Sequence, residues 1–219
     1  MPTVYVETSI ISYLAARPSR DLIVAARQQL THAWWRDRRP VFDLYVSQVV
    51  LDEILAGDPD AAERRAALAA GIPVLDITPE VADLAAALIH RVPLPTTAGA
   101  DAAHIATAAY HRIDFLITWN STHIANAELR PSVPAEPVSI PRPFRAQRMN
   151  SWERAMTEAD HEHQLWRDPI VAEVRRVREE LFAAAGRDIH EFCRRLHAKQ
   201  ARSGHQVVTR APRAPDTLA

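Results

Sequence analysis

The hydrophobic positions of this chain alternate between two periods. Val4-Tyr5-Val6 is a short apolar run that ends at Glu7, Thr8 and Ser9, and a helix-like pattern follows at once. Length and β-branched composition predict a strand over 3–7 and a short helix from Thr8 to Ala15, stopped before Pro18. Leu22, Ile23, Ala26, Leu30 and Trp34 then recur at helical spacing between Asp21 and Arg38. Phe42 to Val46 reads as a second strand, and Ser47 is expected to cap a helix carrying Leu51, Glu53, Ile54 and Leu55. Asp58-Pro59 opens another helix, with Pro at its first position. Val74 to Ile77 is a third strand, followed by a helix from Thr78-Pro79-Glu80 to about Arg91. Asp101 opens a helix running to His111, Asp114 to Thr118 is a fourth strand, Ser121 to Leu129 a short helix, and Val138 to Ile140 a fifth strand. Strands alternating with helices predict a three-layer α/β/α sandwich around a mainly parallel sheet.

The pattern changes after residue 130. Pro131, Pro134, Pro137, Pro141 and Pro143 interrupt residues 130–145, and a domain boundary is expected there, with residues 1–144 forming the body and 145–219 a helical C-terminal extension. In the extension, Asp168-Pro169 starts a helix whose stripe is Ile170, Val174, Val177 and Leu181, and Gly186 ends it. Asp188 starts a second, striped by Ile189, Phe192, Cys193 and Leu196 and ended by Gly204. Two short amphipathic helices cannot bury both stripes alone and need a partner surface. Thr209 to Ala219 is expected to fray.

Composition adds limits. The chain has 219 residues, 47% apolar and 24% charged, which is enough for one good core and an appendage. Its net charge of −1 announces no global field for nucleic acid. The charge is uneven, however: residues 1–144 hold 12 Arg against 16 Asp and Glu, whereas residues 145–219 hold 14 Lys and Arg against 11 acids. An acidic body with a basic tail suggests that the tail lies on the body. The single cysteine, Cys193, excludes an internal disulfide and falls in an apolar stripe. With no apolar run of membrane length and no signal-peptide pattern at the N-terminus, a cytoplasmic protein without membrane contact is expected.

Four polar positions stand at strand ends or helix starts: Glu7 after the first strand, Glu53 in the helix after the second, Asp101 before the fourth, and Asn120 after it. In a parallel sheet such positions converge at one edge. Clustered oxygens bind a hard divalent ion, which neutralises a phosphodiester and activates water. Each residue also has a plainer reading: Glu7 and Asp101 suit helix caps, Glu53 a solvated helix face, and Asn120 a turn. His104 shares the helix face of Asp101 and suits either packing or support of the site. Trp34-Trp35 suits packing more than base stacking, while His123 and Asn126 are candidates for RNA contact. The spacing of His161 and His163 argues against a metal site.

Taken together, Val6-Glu7-Thr8-Ser9, Ser47 to Glu53, Asp101-Ala102-Ala103-His104-Ile105-Ala106 and Leu116-Ile117-Thr118-Trp119-Asn120 resemble a PIN-domain ribonuclease of the VapC toxin type, over about residues 3–140. The resemblance implies a compact α/β/α fold and a metal-dependent endoribonuclease. It implies Mg²⁺ or Mn²⁺ held by Glu7, Glu53 and Asp101, with Asn120 in the fourth position and Thr8, Ser9, His104 and Thr118 supporting. The family's first acid is usually Asp, where this chain has Glu7, and its fourth is often Asp, where this chain has Asn120. The alternative is a catalytically weak PIN-like module that binds RNA or a protein.

The extension looks like the small antitoxin that restrains such a toxin, here fused to it. Its Arg194, Arg195, Lys199, Arg202 and Arg210 are the candidates to pair with the acidic site. Expected partners are therefore RNA, a second copy in a homodimer, and the chain's own tail or an antitoxin-like protein.

Overall fold

The computed structural model describes residues 1–91, 97–121, 124, 145–148 (backbone) and 168–210. Six strands among them form one parallel sheet in the order β5-β4-β1-β2-β3-β6. The strands are β1 (Thr3–Val6), β2 (Asp43–Ser47), β3 (Val74–Leu75), β4 (Phe115–Thr118), β5 (Arg145–Arg148) and β6 (Val207–Val208). The helices are α1 (Thr8–Ala15), α2 (Leu22–Asp37), α3 (Gln48–Ile54), α4 (Pro59–Ala69), α5 (Pro79–Arg91), α6 (Gly99–Tyr110), α7 (Pro169–Ala184) and α8 (Ile189–Gln200). The architecture is the expected α/β/α sandwich with a helical C-terminal region.

The central strand is apolar on both faces because helices cover both: Val4, Tyr5 and Val6 are buried, as are Leu116 and Ile117 beside them. The chain builds β1, β2 and β3 outward in one direction and then places β4 on the other side of β1. That reversal makes the carboxyl ends of β1 and β4 the switch point, where open α/β sheets hold their ligands. Glu7 and Asn120 follow those two ends.

Local chemistry explains most boundaries. Asp21, Asp58, Asp168 and Asp188 each accept a backbone N–H of the first turn, at 2.9–3.1 Å. Gly186, with φ of +71°, ends α7 in the left-handed conformation that glycine adopts most readily.

Several expectations are corrected. Ser47 occupies the N-cap position of α3, but its hydroxyl does not cap; it bonds the Tyr5 hydroxyl at 2.6 Å. α6 begins at Gly99, so Asp101 sits in its first turn and does not cap it. β3 is two residues long, because Ile77 N–H turns away to the Gln200 side chain at 3.2 Å. The extension is not only helical: β6 pairs with β3 and lengthens the sheet of the body. Thr209 and Arg210, expected to fray, are held at 3.1 Å by Asp76 and at 3.2 Å by His111. The expected helix over Ser121–Leu129, the strand at Val138–Ile140, the Pro-rich segment 130–144, and His123, Asn126, His161 and His163 lie largely or wholly outside the described residues.

The stripes of α7 and α8 find their partner surface on the body. Phe182, Phe192, Cys193 and Leu196 are buried in one cluster with Val81 and Ala85 of α5 and Ala102 and Ala106 of α6. Each large side chain there contributes roughly 1.5–3 kcal/mol of burial. Phe182 lies directly on Gly99, where a Cβ would collide with its ring. Trp34 stacks on Phe42 with ring centres 6.1 Å apart, and both Trp34 and Trp35 pack against the core.

Candidate active site

Glu7 leaves the end of β1 as the N-cap of α1, and its Oε2 accepts the Ser9 N–H at 3.1 Å. The Thr118 hydroxyl donates to the same oxygen at 2.7 Å, and the Ser9 hydroxyl donates to it as well. Ser9 in turn accepts the Trp119 N–H at 2.8 Å, and Thr118 accepts the Asn120 N–H at 2.8 Å. The two hydroxyls therefore tie the ends of β1 and β4 to one carboxylate oxygen and leave Oε1 facing inward.

Glu53, on α3, reaches the same place from the end of β2. Its Oε1 meets His104 Nε2 at 3.0 Å, and Thr8 stands against the carboxylate. The other ring nitrogen of His104 bonds the Tyr5 hydroxyl at 2.7 Å, which continues to Ser47. Asp101, one turn before His104 on α6, accepts from the Asn120 side-chain amide at 2.9 Å. Glu7, Glu53, Asp101, His104, Thr118 and Asn120 are all buried, although four of them are charged or chargeable.

The group at the centre, Arg178, is not among the residues the sequence pointed to. Arg178, on α7, is buried and inserts its guanidinium among the three carboxylates. Its Nε and Nη2 bind Glu53 at 3.0 and 3.2 Å, its Nη1 binds Asp101 at 2.8 Å, and Nη2 also pairs with Glu7. Arg175, one turn earlier, donates to Asn120 Oδ1 at 3.0 Å. The signal was in the heptad: Arg178 lies four residues after Val174 and four before Phe182, on the stripe that turns inward.

The basic residues expected at the site are elsewhere. Arg194 and Arg195 pair with Glu191 on the surface of α8, at 2.7 Å each. Lys199 pairs with Asp52 at 2.6 Å, Arg210 reaches the Tyr45 hydroxyl at 3.2 Å, and Arg202 is exposed. They are long side chains on α8, in the turn after it or just past β6, and solvent, Glu191, Asp52 or Tyr45 satisfies them away from the buried acids.

Three carboxylates this close and this dry repel one another unless cations stand between them. Burial pushes the Glu53 carboxyl upward, and His104 works against that shift. Burial also opposes a charge on His104, but Tyr5 and Glu53 at its two nitrogens outweigh it and raise it to about 10. Burial pulls the Arg178 guanidinium down to about 9, which still leaves it charged at neutral pH. Three buried carboxyl groups thus face the Arg178 guanidinium and the His104 imidazole, with half-buried Arg175 at the rim.

Glu7, Glu53 and His104 each offer a ligand atom, and these atoms lie within 4.8 Å of one another. The donors and the cation they already surround fit a divalent ion. Asp101 stands outside that tight set and is joined to it through the guanidinium. No helix among the described residues is long and apolar enough to cross a membrane. Comparison with curated proteins and with solved structures gives no match. A family model described as PIN domain matches residues 4–128, more than half of the chain; the match spans Glu7, Glu53, Asp101 and Asn120 and ends before α7.

Proposed function

This chain belongs to the PIN domain family, and on that premise we propose that it is a metal-dependent endoribonuclease of the VapC toxin type, restrained in cis by its own C-terminal extension. PIN domains are typically metal-dependent nucleases. In this reading, residues 1–144 are the cytoplasmic nuclease body and 145–219 the antitoxin-like part. RNA is the substrate, and a homodimer is the working assembly.

The observation that carries the proposal is Arg178. A guanidinium donating to three buried carboxylates meets the electrostatic demand that an Mg²⁺ or Mn²⁺ ion would otherwise meet, so tail and ion compete for one place. When bound, the ion would neutralise the phosphodiester and lower the pKa of an attacking water. The chain's residues prepare that place. Glu7, Glu53 and Asp101 would supply the negative charge that draws the ion, Ser9 and Thr118 fix the rotamer of Glu7, and Tyr5 with His104 fixes that of Glu53. Asn120 orients Asp101 without adding charge. Arg175 covers Asn120, so α7 also blocks the approach of a phosphate.

The test is RNA cleavage by the full chain and by Arg178→Met, with and without Mn²⁺. Methionine keeps an unbranched stem in the core, whereas deleting 145–219 would strip Phe182, Phe192 and Leu196 from a core cluster and remove two strands. The wild-type chain is expected to cleave weakly and Arg178→Met strongly, only with metal. Without metal, the variant should lose about 3–5 kcal/mol of stability, since its carboxylates are left unpaired. Equal cleavage by both chains would sink restraint by the tail. A second reading, binding of RNA or protein without cleavage, is favoured by the cations already paired with the acids and by the uncharged Asn120. RNA bound by Arg178→Met but left intact in Mn²⁺ would select it.

A further inference from the structure

We propose that His104 is a metal ligand of this site, so that the ion is held by two carboxylates and one imidazole, Glu7, Glu53 and His104, and a first-row transition ion is preferred over Mg²⁺. The inference rests on the metal-dependent reading of the site and adds the identity of its donors.

Geometry carries it. His104 is completely buried on α6, where Gly99, Ala100, Ala102 and Ala103 before it and Ala106 after it are small and Ile105 is the one larger residue beside it. Packing alone needs no imidazole there, and burying one is unfavourable without partners at both nitrogens. The partners are of two kinds. Nδ1 is engaged at 2.7 Å by Tyr5, whose hydroxyl is itself held at 2.6 Å by Ser47. That chain pins the ring, as the outer partner of a metal-ligating histidine does. Nε2 points the other way, into the acids, 3.0 Å from Glu53 Oε1.

Adjacent ligands of one octahedral ion bound at about 2.1 Å stand about 3 Å apart. The His104–Glu53 separation already has that value, and Glu7 completes a set whose atoms lie within 4.8 Å of one another. The guanidinium of Arg178 contacts both carboxylates of the set. A cation therefore already sits against these donors. Replacing it with a metal ion releases the proton of Nε2 to solvent, as ligation of a histidine requires.

The donor type sets the preference. Mg²⁺ takes oxygen ligands and gives up water reluctantly, whereas imidazole nitrogen suits transition ions. Glu7 and Glu53 alone would not discriminate in this way.

The experiment uses the full chain carrying Arg178→Met, loaded with Mn²⁺, and reads nitrogen coupling to the ion by electron spin-echo spectroscopy. Imidazole coupling is expected, and it should vanish in Arg178→Met/His104→Gln. Competition against Mg²⁺ should show at least about a tenfold preference for Mn²⁺ that collapses with His104→Gln. Tyr5→Phe should weaken Mn²⁺ binding by about tenfold or more while the coupling survives. Bound Mn²⁺ without nitrogen coupling would overturn the ligand role of His104 and leave the nuclease reading standing. No bound Mn²⁺ would overturn both. If Arg178→Met does not fold, the same spectrum is read on Arg178→Lys, whose narrower head leaves the fork's second contact vacant.

Discussion

Replacing Asp168 with alanine should loosen α7 and, with it, the guanidinium that fills the site. Asp168 does three things at the start of α7. Its Oδ1 caps the helix, accepting Ile170 N–H at 2.9 Å and Val171 N–H at 3.1 Å. Its Oδ2 pairs with Arg27 of α2 at 2.6 Å and accepts the Tyr13 hydroxyl of α1. Arg27 lies over the Trp119 ring, 5.1 Å from its centre, so the pair also links to the residue beside Asn120. Loss of a cap costs about 1 kcal/mol. The ion pair is partly buried, with Asp168 8% and Arg27 26% exposed, and falls between the 0–1 kcal/mol of a surface pair and the 3–5 kcal/mol of a buried one. We take about 2 kcal/mol for it, hence about 3 kcal/mol for Asp168→Ala. At about 1.4 kcal/mol per decade, the open-tail population rises roughly a hundredfold. Asp168→Asn retains the cap and removes the charge, so it should give about 2 of those 3 kcal/mol. Amide hydrogen exchange along α7 reads the opening without reference to catalysis, and RNA cleavage reads its consequence. Identical α7 exchange in the wild-type chain and both variants would refute the latch. Faster exchange with unchanged cleavage would refute its connection to the site.

Three further outcomes are expected. Gly99→Ala places a Cβ against the ring of Phe182 and should cost about 1–3 kcal/mol by overpacking, read as a lower urea midpoint and partly relieved by Phe182→Leu. Asp101→Asn in an Arg178→Met background should abolish metal-dependent cleavage while raising the metal-free melting temperature, because one of the repelling charges is gone; retained cleavage would remove Asp101 from the site. His111, whose pKa burial lowers, accepts Arg210 N–H at 3.2 Å and bonds the Asp76 carbonyl at 2.7 Å. Its contribution to docking of β6 is complete above its unfolded pKa of about 6.5 and is lost as pH falls through the lowered folded value, so exchange at Val207–Arg210 should accelerate from pH 7.5 to 5.

The amino-acid sequence by itself determined most of the elements, because their causes are local. Val4-Tyr5-Val6 has strand composition, Asp168-Pro169 caps a helix, and Gly186 ends one, whatever surrounds them. Strands alternating with helices also implied a parallel sheet and therefore placed Glu7, Glu53, Asp101 and Asn120 near one edge of it. β6 was not legible: two residues, Val207 and Val208, carry no usable period, and they are a strand only because β3 offers an open edge. The use of Ser47 was hidden for a related reason, since a hydroxyl before a helix looks like a cap until a buried Tyr5 competes for it. Arg178 shows the limit most clearly. The basic residues that stood out lie where solvent accepts them, while the one that matters sits inside an apolar stripe, where only a facing set of buried carboxylates makes an arginine tolerable. Periodicity records which side of a helix turns inward. Which charge meets it there depends on residues 77 to 171 positions away, and only the tertiary structure brings them into contact.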